Sequence, residues 1–305
     1  MNLAGEIKQA YRKGDILFRL IYINIAIFVL IGLGFVFYRL FTPGVTLTEL
    51  RIFYSDHVLK YLMVPSRPDE LLARPWTLIT YMFTHFGFMH ILFNMLILYW
   101  FGRIFMQYLT GRQLLSTYLI GGLAGAFLFL IFLNGFPGLR LPLGTSMLGA
   151  SAAIMAIVVA ISAYAPDYTL NLLFIGPVKL KYIALFYVVL DILMIASDNA
   201  GGNISHLGGA LYGFWFTTQY KKGRDPGKWM NRLLDFLFNL FRPRPKLNVT
   251  YRKNAPHITD FDYNKSKVAQ QKEVDRILDK IARAGYDSLT KQEKEILFSM
   301  SDKNK

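Results

Sequence analysis

Thr84-His85-Phe86-Gly87-Phe88-Met89-His90-Ile91-Leu92-Phe93-Asn94-Met95 sets two histidines and an asparagine into an apolar run that extends from Thr77 to Phe101. A helix crosses a bilayer with roughly 20 mostly apolar residues, so the run reads as a membrane span. His90 and Asn94 are four residues apart and share one face of that helix. An ionisable group at the bilayer centre costs about 2.5–3.5 kcal/mol on insertion scales, and groups retained there usually carry a function.

Outward from this run, five further segments approach spanning length. They are Ile16–Phe41, Leu114–Leu133, Met147–Ala165, Tyr182–Ala196 and Ile204–Tyr220. The expected fold is therefore all-α: a polytopic membrane protein with a six-helix bundle and a small helical tail. Composition agrees, with 53% hydrophobic residues and a mean hydropathy of +0.32 over 305 residues. Between the first two spans lies a loop, Thr42–Pro75, broken by Pro43, Pro65, Pro68 and Pro75. Its apolar residues suit the membrane interface. The chain has no cysteine, which excludes disulfides and thiol chemistry. Met1 to Asp15 lacks the pattern of a cleavable signal peptide, so the first span is expected to be retained.

Charge is uneven. Residues 221–305 hold 20 of the 34 Lys and Arg and 11 of the 20 acids. Thirteen Lys and Arg near the span ends fall on one side and six on the other, Arg140 among the six. The richer side carries both termini and reads as cytoplasmic. Four regions are expected: residues 1–15, a cytoplasmic N-terminal segment; 16–220, the six-span domain; 221–267, an amphipathic juxtamembrane helix and linker; and 268–305, a cytoplasmic helical pair. Trp229–Phe238 is amphipathic and basic at its edges, suited to an anionic leaflet or to an ordinary juxtamembrane helix. Within the pair, Glu273–Ala284 reads as a helix stopped by Gly285, and Thr290–Glu293 fits a capping box opening a second helix through Met300.

The chemistry lies at one end of the spans. His90 and Asn94 sit in the first half of span two, Ser151 at the start of span four and His206 at the start of span six. All enter from the same side, so these residues share a depth. A serine hydroxyl becomes a useful nucleophile once a neighbouring base takes its proton, and histidine suits that task near neutral pH. Ser151 opens a helix, where free N–H groups favour negative charge. His90, Asn94 and the Ser151 N–H offer donors for an oxyanion. Gly149 keeps the backbone beside Ser151 uncrowded. Gly209 and Gly213 in span six, Ala152, Ala156 and Ala160 in span four, and Gly121 and Gly125 in span three offer small faces for close packing in lipid. Asp191 has no evident place beside His206 and is read as structural.

These residues resemble the rhomboid family. The pieces that carry the resemblance are Arg74-Pro75-Trp76-Thr77, the Thr84–Met95 stretch, Gly149-Ala150-Ser151-Ala152, and Ser205-His206-Leu207-Gly208-Gly209 with Gly213 beyond. It covers about residues 16–220. It implies an intramembrane serine endopeptidase with a Ser–His dyad, no metal and no cofactor. Ser151 matches the family nucleophile, His206 its general base, and His90 and Asn94 its oxyanion pair. His85 matches a recurrent position near the site. The sequence departs twice, with Ala152 where members often have Gly, and Met155 where many have an aromatic ring. The C-terminal pair resembles tails of some bacterial rhomboid-like proteins, which implies a bacterial inner (plasma) membrane.

The expected partners are single-span membrane protein substrates, the lipid bilayer and a cytoplasmic partner for the tail. Nucleic acid is not expected, because the tail's acids are interspersed with its bases. The alternative is a catalytically inactive rhomboid-like protein that binds membrane helices. A transporter would show repeated halves, and the sequence has none.

Overall fold

A computed structural model describes residues 15–136, 145–172, 175–197, 199–240 and 260–302. The N-terminal segment with Lys8, Arg12 and Lys13, the loop residue Arg140, and the linker residues 242–259 lie outside the described residues. The described chain divides into two units, one ending at Arg242 and the other beginning at Pro243.

In the first unit the membrane helices are α1 (Ile16–Phe41), α5 (Phe88–Tyr108), α6 (Gly111–Gly135), α7 (Ser151–Tyr164), α8 (Leu180–Leu193) and α9 (Ala200–Lys221). Between α1 and α5 come α2 (Leu47–His57), α3 (Pro68–Ala73) and a short α4 (Thr77–Thr80). A last helix, α10 (Lys228–Leu240), follows α9. Three helices, α1, α5 and α6, are long and apolar enough to cross a membrane on length and composition alone.

The second span begins later than its hydropathy suggests. Thr77–Thr80 and a 3-10 turn at Tyr81–Phe83 form a separate short element, and the long helix starts at Phe88. Gly87 causes the break: it caps α5 at φ 103°, a backbone region that disfavours side chains. Thr84 and His85 are thereby turned into the core instead of continuing a helix.

Helix α7 is the centre of the bundle, buried along its length from Ala152 to Ser162. Its small residues permit this. A Cβ added at Gly209 of α9 would collide with the Ala152 carbonyl, and one at Gly213 with the Ala156 carbonyl. On the α6 side, Gly121 faces the Ala156 methyl and Gly125 the Ala152 methyl. The expected small faces therefore meet, and Gly125 supplies the space for Ala152. Without a hydrophobic difference between lipid and side chain, such close backbone packing is what holds membrane helices together. Several polar groups inside are paired, as an apolar medium favours. Asn24 Nδ2 donates to the Leu20 carbonyl at 2.8 Å, and the Tyr118 hydroxyl donates to the Met82 carbonyl at 2.7 Å. Thr217 Oγ1 donates to the Ala160 carbonyl at 2.7 Å, fastening α9 to α7.

Two small antiparallel ribbons complete this unit. Val64–Pro65 (β1) pairs with Ser146–Met147 (β2), tying the long loop to the approach to α7. Thr169–Leu172 (β3) pairs with Gly176–Lys179 (β4) at the opposite end of α7. The loop also exposes the apolar residues Leu47, Ile52 and Leu72.

The second unit holds α11 (Asp260–Ala284) and α12 (Lys291–Asp302). Residues 260–267, expected as linker, are the first turns of α11. They carry no apolar stripe that would signal a helix in sequence, although Asp260 and Asp262 stand where negative charge favours a helix start. Gly285 ends α11 at φ 76°. The expected capping box forms: Thr290 N–H donates to Glu293 at 2.8 Å, and Glu293 N–H donates to Thr290 Oγ1 at 3.3 Å.

Candidate functional site

Helix α7 has 14 residues, about 21 Å at 1.5 Å per residue, against a hydrocarbon core of roughly 30 Å. Its far end is held at a charged face, where Lys221 Nζ donates to the Ala163 carbonyl at 2.8 Å and Asp167 pairs with Lys179 and Lys181. Its first residue, Ser151, is partly buried at the opposite end of the helix.

A cavity of about 470 Å³ opens above Ser151. His90 and Asn94 from the first turns of α5, Ser151 from α7 and His206 from α9 all line it, together with Gly149. The four residues that sequence placed at one depth thus meet in one space. A smaller cavity of about 80 Å³ beneath it is lined by Asn94, Ser151, Met155, Tyr187 and His206. Met155 therefore lines the same pocket as the histidine, and α8 contributes Tyr187 to it. Tyr187 carried no signal in the sequence, being one aromatic among many in an apolar helix.

Gly149 is required twice over. Its φ is +119°, and a Cβ there would stand 2.9 Å from His90 Cε1. Its N–H donates to the Tyr81 carbonyl at 2.9 Å, fixing the turn that enters α7. His85 is fully buried, and its Nε2 accepts the Ala150 N–H at 3.3 Å. It supports the backbone next to Ser151 and also meets His90 edge to face, with ring centroids 5.2 Å apart. Asn94 Nδ2 donates one hydrogen to the His90 carbonyl at 2.8 Å. An amide nitrogen has a second hydrogen, which remains available to the cavity. The Ser151 N–H stands at the open start of α7 with no acceptor among the described residues.

His206 holds the departure from expectation. Its Nδ1 lies 2.8 Å from Asp191 Oδ1. Span direction alone gives Asp191 no place there, because it carries no hairpin geometry. Helix α8 ends two residues after Asp191, and His206 is the seventh residue of α9, so a tight connection brings them level. Asn203 fastens that connection by donating from Nδ2 to the Met194 carbonyl at 2.6 Å. Among the described residues no hydrogen bond joins the Ser151 hydroxyl to His206. Serine and base often close this gap only when substrate is bound. No group of three or more His, Asp or Glu is arranged to hold a metal among the described residues.

The chain was compared with known families and proteins. Residues 72–222 match the family model for the Rhomboid domain, and residues 259–303 match a family of unknown function (DUF6576). RHOMBOID-like protein 12, mitochondrial, of Arabidopsis thaliana is 33% identical over 187 residues, 57% of this chain and 54% of that protein. The human Presenilin-associated rhomboid-like protein, mitochondrial, is 27% identical over 186 residues, 58% of this chain and 43% of its own length. Rhomboid-like protein 16, chloroplastic, of Arabidopsis thaliana is 28% identical over 205 residues, 63% of each. The chain spans about half the length of the curated relatives it matches. These relatives overturn the expected bacterial inner membrane with cytoplasmic termini, since by name they are mitochondrial or chloroplastic and point to an organellar membrane. The tail's likeness to bacterial forms was too weak a guide, because helix pairs of mixed charge carry little compartment information. Within the helical bundle, residues 72–222 are the part that is similar to the Rhomboid domain family.

Proposed function

We propose that the chain is an intramembrane serine endopeptidase of an organellar membrane, cleaving the transmembrane segments of single-span proteins. One observation carries the reading: Ser151, partly buried at an open helix start, shares a cavity with His206, His90 and Asn94. A substrate helix reaches the site laterally and unwinds, since an intact helix hides its carbonyls in its own hydrogen bonds. Ser151 Oγ attacks the scissile carbonyl carbon as His206 Nε2 takes the hydroxyl proton. The oxyanion receives hydrogen bonds from the Ser151 N–H, the free Asn94 Nδ2 hydrogen and His90. His206 returns the proton to the leaving amine. Water then hydrolyses the acyl-enzyme with His206 again as base.

The cavity's walls support this use of water. Polar Thr145, Ser146, Asn199 and Ser205 line it with Ser151, beside apolar Phe93, Ile97 and Phe129. The two-helix tail and the amphipathic α10 suit contacts outside the bundle, the tail with a soluble partner and α10 with the lipid surface.

The open Ser151–His206 geometry favours one other reading, an inactive protein that binds membrane helices in the same cavity. Purified protein in detergent, offered single-span reporters beside Ser151→Ala and His206→Ala, separates the two. The expected result is cleavage by the parent chain and none by either folded variant. Equal behaviour of all three, with reporters still captured, would establish the binding reading.

A further inference from the structure

Asp191 is a carboxyl group inside an apolar bundle, 7% exposed, one of whose oxygens has a single partner. That partner is His206 Nδ1 at 2.8 Å. The other oxygen, Oδ2, is buried with no partner among the described residues. A carboxyl that served only to glue α8 to the bundle would be expected to spend both oxygens on N–H or hydroxyl donors of neighbouring helices. This one is committed to the imidazole.

We infer that Asp191 is the positioning residue for His206, completing a Ser151–His206–Asp191 arrangement in place of a bare dyad; the inference deepens the proteolytic reading and rests on it. An ionised carboxylate only accepts hydrogen bonds. It therefore requires the His206 proton on Nδ1, which leaves the Nε2 lone pair for the proton of Ser151. During attack the Ser151 hydroxyl proton moves to Nε2. The imidazolium keeps its Nδ1–H bond to Asp191, and the carboxylate stays anionic throughout, so it stabilises the positive ring without itself taking the proton.

The fold pre-sets this contact. The connection from α8 to α9 is fastened at Met194 by the Ser197 N–H at 3.0 Å and by Asn203 Nδ2 at 2.6 Å. Asp191 sits just before that staple and His206 just after it, so the pair's separation does not depend on substrate. The other titratable groups around His206 are His90 from α5 and Tyr187 from α8, both on the cavity walls. Neither is hydrogen-bonded to His206. Sequence separation hides the pairing: the two stand fifteen positions apart, and no motif spacing marks them.

The test uses the full chain labelled with nitrogen-15 histidine, in detergent above neutral pH. The His206 signal is assigned by its loss in His206→Ala. The expected parent spectrum has the proton on Nδ1. In Asp191→Leu, which fills similar space without an acceptor, the proton is expected to shift toward Nε2. Turnover of a single-span reporter is expected to fall by up to about 10⁴-fold in kcat, the loss seen on replacing such a carboxylate elsewhere, with KM held. A structural role would leave tautomer and kcat intact in folded Asp191→Leu, and that result overturns the inference. A parent spectrum with the proton on Nε2 overturns it as well, and needs no variant to fold. Failure of the parent to cleave any reporter, with the Nδ1 proton in place, would defeat the proteolytic reading and leave the Asp191–His206 lock standing.

Discussion

Helix α7 and the pair α11–α12 are both helical, and they are held by opposite means. Helix α7 is buried from Ala152 to Ser162 and owes its seat to glycine and alanine backbones in direct contact. The tail pair buries Ile277 and Leu289 and gathers a cluster of charges around Glu293. In lipid, apolar surface gains nothing by leaving its surroundings, so shape decides. In water, a short helix pair buries little and leans on capping and charge. The catalytic candidates belong to the first kind of region, where a shift of a fraction of an ångström is resisted by backbone rather than by flexible side chains.

The widest break in that comparison is a substitution on the packing face. Gly209→Leu would drive a side chain into the Ala152 carbonyl, one residue from Ser151. The cost is expected to exceed the roughly 1–3 kcal/mol of ordinary overpacking, because the opposing atoms are main chain. Thermal unfolding of the detergent-solubilised protein should show a destabilised bundle; an unchanged midpoint would mean that α7 and α9 pack less closely than the structure has them.

A smaller effect separates chemistry from packing within the same region. Asn94→Ala removes the proposed donor to the oxyanion and one bond to the His90 carbonyl. Cleavage is expected to fall by about 10²–10³ in kcat, the usual cost of one oxyanion donor, while the unfolding midpoint stays near that of the parent. Loss of fold along with activity would make Asn94 a helix-packing residue instead.

The smallest effect is confined to the tail. Glu293 is held down to about 2, from an ordinary 4.5, by the Thr290 N–H first and by Lys280 next. A carboxylate depressed on folding stabilises the folded form above its unfolded value, and that contribution is lost as pH falls through the folded one. The α11–α12 contact should therefore loosen between about pH 4.5 and 2. Hydrogen exchange of the full chain should register this over residues 260–302 alone. Glu293→Gln should flatten that dependence and leave the bundle's exchange unchanged. The contrast between the two regions would be blunted if acid loosened both together.

Much of the bundle was legible in sequence because its signals are local. Apolar runs of spanning length mark the helices, and i, i+4 spacing puts His90 and Asn94 on one face. The glycines and alanines of α6, α7 and α9 announce close packing. The entry of α5 was less legible, since hydropathy continues smoothly through Thr77–Phe83 and only the backbone at Gly87 reveals the break. The start of α11 was missed for the converse reason: a helix exposed on most sides needs no apolar period.

The sequence by itself determined that this chain lives in a membrane, which helices cross or fill it, and that a serine, two histidines and an asparagine gather at one depth. Each of these follows from short-range pattern, because the bilayer imposes length and polarity on every segment separately. Tertiary structure alone decided that Asp191 meets His206, that Gly149 lies under His90, and that Tyr187 and Met155 close the pocket below. Those contacts depend on how far each helix is rotated and how deep it starts, and neither quantity is written in any one segment. They emerge only when backbones of neighbouring helices come to rest against each other.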